Sequence, residues 1–261
     1  MSGAPAAADP APATAARVAG ASRVGAGRFV ELPPLRASGA VQMARDERLL
    51  DEVTCLTVRR YVWSPPAVSL GKFQELAPDT WAVLEQAGVD VVRRPSGGRL
   101  VLHGEGFEWS FAVAAPHGPS PSGTHAAYRA VQEAMAAALV ACGVVPDAGR
   151  DEPYTRSALC FASALRHDLL VCGAKAVAVA QARHGDRYLV HGSVLERRPP
   201  EALVAAVEAA TGERWCGEGL APAGVAPGGE ALWRAFVSRL AAAELADGAA
   251  AGRRAEEVTG R

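Results

Sequence analysis

Residues 93–103 read RRPSGGRLVLH, and they join two segments with the composition of β-strands. Val89–Arg93 and Leu100–His103 are rich in Val and Leu, and the Gly97-Gly98 pair between them is typical of a turn. A third strand, Phe107–Ala114, follows Gly104-Glu105-Gly106. The close spacing of these strands predicts a meander and not a series of βαβ units.

Further helices and strands are predicted on both sides of this stretch. The strands lie at 28–32, 54–63, 67–70, 169–172, 176–181 and 188–195, and the helices at 37–53, 78–87, 122–142, 200–211 and 229–245. This order favours an α/β (α+β) protein in which a mixed, largely antiparallel sheet is flanked by helices. We expect one domain over 28–245, a disordered Ala/Pro/Gly-rich leader over 1–27 and a flexible tail over 246–261.

The overall composition excludes several functional classes. The chain has 261 residues, 49% of them hydrophobic, with a formal net charge of −1, which predicts neither a nucleic-acid nor a membrane-surface partner. Its five cysteines show no C-x-x-C spacing, so neither a disulfide framework nor a metal site is expected. The sequence also lacks an apolar run long enough to span a bilayer, and we expect a reduced, cytoplasmic protein.

The basic residues are unevenly distributed between the two types. Of 27 Lys and Arg residues only Lys72 and Lys175 are lysines, so each lysine is unexpected where it stands. Lys72 lies in a Gly-Lys-Phe-Gln turn and is interpreted as a surface or pocket-rim charge. Lys175 lies in an apolar strand, where an amine must reach solvent, pair with an anion or lose its proton. Because arginine cannot lose its proton, the choice of lysine favours an amine that can, although a lysine extending to solvent from a strand edge is an alternative.

Two segments carry residues suited to chemistry. The loop 94–99 combines arginines, Ser96 and two glycines, a set that could bind a phosphate or carbonyl oxygen but could equally form a hairpin turn with solvated arginines. Cys160 lies in an irregular segment fifteen residues before Lys175 and is a candidate nucleophile, with a buried space-filling cysteine as the alternative. His167-Asp168 is a weaker candidate for the nucleophile's partner, because adjacent residues of a strand point to opposite faces.

The order of these motifs resembles the biotin/lipoate A/B protein ligase family over roughly residues 28–245. The matching runs are RRYVWSPPAVSLGKFQ (59–74), RRPSGGRLVLH (93–103), the helix near Ala127-Tyr128, Cys160-Phe161, and Lys175 through Gln181-Ala182-Arg183 to His191-Gly192-Ser193. Within the family, Cys160 followed by Lys175 is similar to the cysteine-dependent octanoyltransferase branch.

This resemblance implies an acyltransferase of protein lipoylation without a metal or bound cofactor. Cys160 would take an octanoyl group from acyl carrier protein as a thioester, with Lys175 favouring the thiolate. The lysine of a lipoyl domain, such as that of glycine cleavage H protein, would then accept the group. The implied acyl and pantetheine pocket comprises Arg94, Ser96, Gly97, Gly98, Arg99, His103, Gln181, His191, Gly192 and Ser193.

The sequence departs from the family pattern in two places. Gly104 and Gly106 stand where the family has polar residues after the histidine, and Ala178-Val179 replace its Gly-Ser pair beside the lysine. These changes predict altered specificity. Two alternative functions stay open: an ATP-dependent lipoate or biotin ligase, which would need ATP and Mg²⁺, and a non-catalytic module that binds acyl groups or lipoyl domains.

Overall fold

The computed structural model describes residues 22–23, 29–116, 125–149, 157–165, 168–224 and 229–243. The predicted leader and tail lie outside these residues, except that Ser22–Arg23 form a short strand. Within the described part of the chain, none of the helices has the length and apolarity needed to cross a membrane.

The described residues form eleven strands and five helices. The strands are β1 (Ser22–Arg23), β2 (Phe29–Ala37), β3 (Leu56–Trp63), β4 (Ala67–Leu70), β5 (Asp90–Arg93), β6 (Val101–His103), β7 (Glu108–Pro116), β8 (Asp147–Ala148), β9 (Leu169–Val171), β10 (Ala174–His184) and β11 (Arg187–Leu195). The helices are α1 (Gly39–Glu52), α2 (Pro78–Gln86), α3 (Ala126–Ala141), α4 (Glu201–Thr211) and α5 (230–243). The predicted elements are therefore confirmed, with ends that differ by a few residues.

Eight strands form a large sheet in the order β1-β2-β3-β7-β11-β10-β9-β8. Only β2 and β3 pair in parallel, and α1 connects them; every other neighbouring pair in this sheet is antiparallel. The longest pairings join β7 to β11 over nine residue pairs and β11 to β10 over eight. The prediction of a mixed, largely antiparallel sheet is confirmed.

The predicted meander over 89–114 is wrong. Strand β4 lies between β5 and β6 in a separate three-stranded sheet, while β7 belongs to the large sheet. Strand β5 is parallel to β4 and follows it through α2, which makes β4-α2-β5 a βαβ unit. The Gly97-Gly98 segment is therefore not a hairpin turn: it passes from one side of β4 to the other.

Three apolar clusters hold these layers together. One face of the large sheet packs against α3 and α5, with Met135 and Phe236 fully buried between them. The other face packs against α1, and the small sheet forms its own cluster with α2, α4 and Phe161. Because Ala178 and Leu195 of the large sheet belong to this last cluster, the two sheets face each other across shared apolar contacts.

Candidate active site

The structure brings Cys160 and Lys175 into contact. The Lys175 Nζ atom lies 3.6 Å from Cys160 Sγ and 3.2 Å from the carbonyl oxygen of the same residue. A third group completes the cluster, because Asp168 Oδ2 lies 2.8 Å from Nζ. The side chains of Lys175 and Asp168 are only 6% and 5% exposed, so their charges interact with little screening by water.

The contacts around Lys175 favour its charged form. An ammonium has three N–H donors, and Nζ has three acceptors within reach: the Asp168 carboxylate, the Cys160 carbonyl and the Cys160 sulfur. Burial alone lowers the pKa of Lys175, but the facing Cys160 sulfur and Asp168 carboxylate outweigh it and raise the pKa above its ordinary value. Lys175 is thus a fixed cation that pairs with the Asp168 carboxylate. The expectation that this amine readily loses its proton is wrong.

Asp168 is the residue of this cluster that the sequence argument ranked too low. It precedes β9 and is not part of a strand, so the rule that neighbouring strand residues point to opposite faces does not apply to it. The backbone N–H of Leu165 donates to Asp168 Oδ2 at 2.7 Å, which holds the carboxylate toward Lys175. His167 lies outside the described residues.

The segment that carries Cys160 is fastened to the small sheet. Leu100 and Leu159 form a parallel bridge, in which the Cys160 N–H donates to the Leu100 carbonyl at 2.9 Å and the Leu100 N–H donates to the Ala158 carbonyl at 3.0 Å. Cys160 then begins a 3₁₀ turn, Cys160–Ala162, whose Phe161 is buried against Trp215. The bridge therefore places the cysteine beside the Gly97-Gly98 loop, two residues before Leu100.

A cavity with about 430 Å³ of open space, part of it continuous with solvent, lies between the two sheets and α1. Its apolar lining residues are Met43, Tyr61, Trp63, Val101, Ala178, Val179 and Ala180. Its other lining residues are Ser69, Arg94, Gly98, His103, Ser110, Cys160, His191, Gly192 and Ser193. Six residues of the predicted pocket are thus brought together with Cys160: Arg94, Gly98, His103, His191, Gly192 and Ser193.

One wall of the cavity is held by a buried cluster around Asp46 of α1. Asp46 Oδ1 accepts hydrogen bonds from Arg59 at 2.6 and 3.0 Å, and Oδ2 contacts His191 Nδ1 at 2.8 Å. The other nitrogen of His191, Nε2, lies 2.5 Å from Ser96 Oγ. Burial opposes ionisation, yet Arg59 and His191 hold the pKa of Asp46 below its ordinary value. His191 is therefore fixed at both ring nitrogens by the helix and by the loop.

A second cluster holds His103 on the other wall. His103 Nδ1 lies 3.1 Å from Glu108 Oε1, Nε2 lies 2.8 Å from Ser69 Oγ, and the ring stacks on Trp63 with centroids 4.0 Å apart. Burial lowers the pKa of His103 despite the neighbouring Glu108. Ser193 and Ser110 donate to the same Glu108 oxygen at 2.8 and 2.5 Å. The polar atoms of this wall are thus paired with one another.

Four predicted pocket residues lie elsewhere. Of the described residues, Ser96, Gly97, Arg99 and Gln181 are not among those that line the cavity. Ser96 contacts His191, which lines the cavity, through its hydroxyl group. Arg99 and Phe73 both line an adjacent surface groove. Arg94 does line the cavity, but its guanidinium donates to the carbonyls of Ser69, Gly97 and Arg99, at 2.7–3.2 Å, and so organises the loop.

The loop 94–99 requires glycine at particular points. Gly98 has φ +97°, a conformation that side-chain-bearing residues rarely adopt. A Cβ atom on Gly71, at the end of β4, would overlap the carbonyl oxygen of Gly98, so the two chains touch backbone to backbone. A Cβ atom on Gly97, by contrast, would meet open space. The close approach of Gly71 to Gly98 therefore helps to hold the loop 94–99 beside Cys160.

Two of the residues that depart from the family pattern lie in the cavity. Ala178 and Val179 line it on β10, where the family pattern has glycine and serine. Their side chains add bulk to the wall relative to that pattern, and the altered specificity expected from these changes stays a prediction. Gly104 instead packs against the Phe107 ring, and Gly106 has φ +86° in the turn before β7.

Comparison with known proteins identifies relatives of this chain. The family model "Lipoyl protein ligase A/B catalytic domain" matches residues 38–218. The octanoyltransferase LipM of Carboxydothermus hydrogenoformans is 35% identical over 173 residues, which cover 64% of this chain and 64% of that protein. The chain therefore spans slightly less than two thirds of the length of this curated relative.

Solved structures show the same fold. Lipoate-protein ligase A bound with ATP has a TM-score of 0.62 at 21% identity, covering 82% of this chain and 85% of that one. The bipartite lipoate protein ligase of Thermoplasma acidophilum, studied with its E2 lipoyl domain, has a TM-score of 0.60 at 20% identity, covering 82% and 81%. The resemblance found in the motifs is confirmed: the chain belongs to the lipoyl protein ligase A/B catalytic domain family.

Proposed function

We propose that this protein transfers an octanoyl group from acyl carrier protein to the lysine of a lipoyl domain, such as that of glycine cleavage H protein, through a thioester on Cys160. The observation that carries the proposal is the Lys175 Nζ atom 3.6 Å from the Cys160 sulfur at the edge of a cavity. The similarity to octanoyltransferase LipM supports the octanoyl-transfer part of the proposal. The proposal requires no metal or bound cofactor.

In the first half-reaction the Cys160 thiolate attacks the carbonyl carbon of the octanoyl thioester. A bond forms between Sγ and that carbon, and the bond to the carrier sulfur breaks. The carrier sulfur leaves with the electron pair as a thiolate, which takes up a proton from solvent. The fixed ammonium of Lys175 stabilises the attacking thiolate, because opposite charges in a buried site attract strongly. The acyl chain would occupy the cavity along Met43, Trp63 and Val179.

In the second half-reaction the uncharged amine of the acceptor lysine attacks the same carbon. A C–N bond forms, the C–S bond breaks, and Sγ leaves with the electron pair as a thiolate beside Lys175. The attacking nitrogen releases a proton to solvent, which leaves an amide on the acceptor and restores the starting enzyme. The paired polar side chains of the cavity walls leave mainly carbon surface for the acyl chain.

The Cys160 geometry favours this reaction over an ATP-dependent ligase. A ligase activates the acyl group as an adenylate, and Lys175 would then serve the adenylate while the cysteine sulfur would have no role. A direct contact between Sγ and a buried ammonium is instead the arrangement that activates a thiol for acyl transfer.

The test is an intact-mass measurement after incubation with octanoyl carrier protein in the absence of ATP. We expect an adduct of one octanoyl group that hydroxylamine removes and that the Cys160→Ser variant does not form. The Cys172→Ser variant is the matched control, because Cys172 is exposed whereas Cys160 is partly buried. Lipoylation that appears only with ATP and lipoate would identify a ligase, and activity in neither assay would identify a binding module.

A further inference from the structure

Acylation of Cys160 changes the charge balance of the buried cluster. In the proposed mechanism the Lys175 ammonium faces two groups before acylation: Cys160 Sγ, which reacts as a thiolate, and the Asp168 carboxylate. Once Sγ carries an acyl group it has no charge, and the ammonium remains 6% exposed in the same place. A buried ammonium without a counter-ion loses its proton readily, so the acyl-enzyme needs another anion to keep Lys175 charged.

We propose that Asp168 is a positioning residue for the second half-reaction, in which it keeps Lys175 protonated and aimed at Sγ while Cys160 carries the acyl group. The inference rests on the proposed function, since it concerns the acyl-enzyme. The Asp168 carboxylate is 2.8 Å from Nζ, 5% exposed and oriented by the Leu165 N–H. It is therefore already paired with Lys175 before the thiolate charge disappears.

Three groups face Lys175, and their charges decide which of them can keep it protonated in the acyl-enzyme. Cys160 approaches from the 3₁₀ turn, Asp168 from the segment before β9, and Tyr128 from α3. Burial, together with the Asp168 charge, raises the pKa of Tyr128 to about 12, so the phenol is uncharged at neutral pH. Among these three groups, only Asp168 remains anionic in the acyl-enzyme.

The charge of Lys175 matters at the moment when the C–S bond breaks. The electron pair of that bond moves onto Sγ, and a cation beside Sγ stabilises the thiolate as it forms. If Lys175 were neutral, the thiolate would form in a buried site without a counter-charge. Expulsion of the sulfur would then be slow, and the acyl-enzyme would accumulate.

The experiment measures the two half-reactions separately in the Asp168→Asn variant. Acylation is followed by intact mass with octanoyl carrier protein, and deacylation by transfer from the isolated acyl-enzyme to a lipoyl domain. We expect acylation within about threefold of the wild type, because the thiolate itself pairs with Lys175 in the free enzyme. Deacylation should slow at least about tenfold, which corresponds to roughly 1.4 kcal/mol in the barrier.

Three further measurements separate this role from a merely structural one. The deacylation defect of Asp168→Asn should shrink as the pH is lowered, because acid restores the Lys175 proton. Asp168→Glu should recover most of the rate, and Asp147→Asn, an exposed aspartate that caps the Gly173 N–H nearby, should behave as wild type. Acylation by Asp168→Asn shows in the same experiment that the variant is folded.

Equal slowing of both half-reactions, or no slowing of either, would overturn the inference while leaving the proposed function intact. A deacylation defect that does not change with pH would also overturn it. Absence of any acyl-enzyme in the wild type would refute the proposed function, and this inference with it.

Discussion

Asp46 is a position at which a single substitution should have a large effect on stability. It is fully buried on α1 and accepts four hydrogen bonds: two from Arg59, one from Tyr61 and one from His191. The Asp46→Ala substitution removes all four and leaves the Arg59 guanidinium, which is 2% exposed, without its carboxylate.

The expected loss of stability follows from the Arg59 charge, which Asp46→Ala leaves buried without a carboxylate. Breaking a buried ion pair by removing one partner costs about 3–5 kcal/mol in the free energy of unfolding. Two acceptors remain for Arg59, since its nitrogens also donate to the side-chain and backbone oxygens of Gln42 at 2.8 Å. We therefore expect a loss near the lower end, about 3 kcal/mol.

The assay is equilibrium unfolding in urea, with the midpoint compared at an unchanged slope. The matched control is Asp51→Ala on the same helix, whose partner is His184 and whose side chains are 72% and 56% exposed for the histidine and the aspartate. This pair is screened by water and should contribute at most about 1 kcal/mol.

A double substitution should restore part of the stability lost in Asp46→Ala. Replacing both partners with apolar residues, Asp46→Leu with Arg59→Met, leaves no stranded charge and should recover part of the lost stability. An Asp46→Ala protein whose midpoint shifts no more than that of Asp51→Ala would refute the argument, because the buried ion pair would then contribute no more than an exposed one.

The other predictions concern the cysteine partner, the glycine contact and acid stability. Lys175→Arg keeps the charge, but a planar guanidinium cannot direct donors to the same three acceptors as the ammonium does. The steady-state rate of octanoyl transfer should therefore fall about 100-fold. A rate near that of the wild type would show that the positive charge alone is sufficient. Gly71→Ala should cost about 1–3 kcal/mol in a urea titration because of the overlap with Gly98, whereas Gly97→Ala should change stability by less than about 0.5 kcal/mol. Because the pKa of Asp46 is lowered in the folded protein, its stabilising contribution is present above the unfolded-state pKa of about 4 and is lost as the pH falls through the folded value. The unfolding free energy of the wild type should therefore decline below about pH 4 more steeply than that of Asp46→Asn, and parallel pH curves would contradict this.

The local features of the fold were readable from the sequence because they depend on neighbouring residues. The periodicity of α1 and the β-branched composition of β3 predict those elements directly. The insertion of β4 between β5 and β6 was not predictable, because strand pairing depends on contacts between distant residues, and close spacing along the chain suggested a meander instead.

The same distinction applies to the site. The scarcity of lysine pointed to Lys175, and the motif resemblance pointed to Cys160, and the structure places the two side chains in contact. Asp168 was ranked low because its position was treated as part of a strand. The expected loss of the Lys175 proton was wrong because the sequence does not show that Asp168 pairs with this lysine. Met43 and Trp63 carry no local signal of a cavity, since an apolar residue that lines a cavity and one that fills a core have the same sequence pattern.

Because of the bridge between Leu100 and Leu159, the contact between Cys160 and Lys175 depends on the packing of the two sheets against each other. Cys160 is tied to the small sheet through that bridge, while Lys175 belongs to β10 of the large sheet. A chain in which only one sheet had formed would hold a sulfur without its ammonium, or an ammonium without its sulfur. The contact between Sγ and Nζ therefore forms only when both sheets have docked, and under the proposed function a chain that lacks this docking would hold a cysteine without its activating cation.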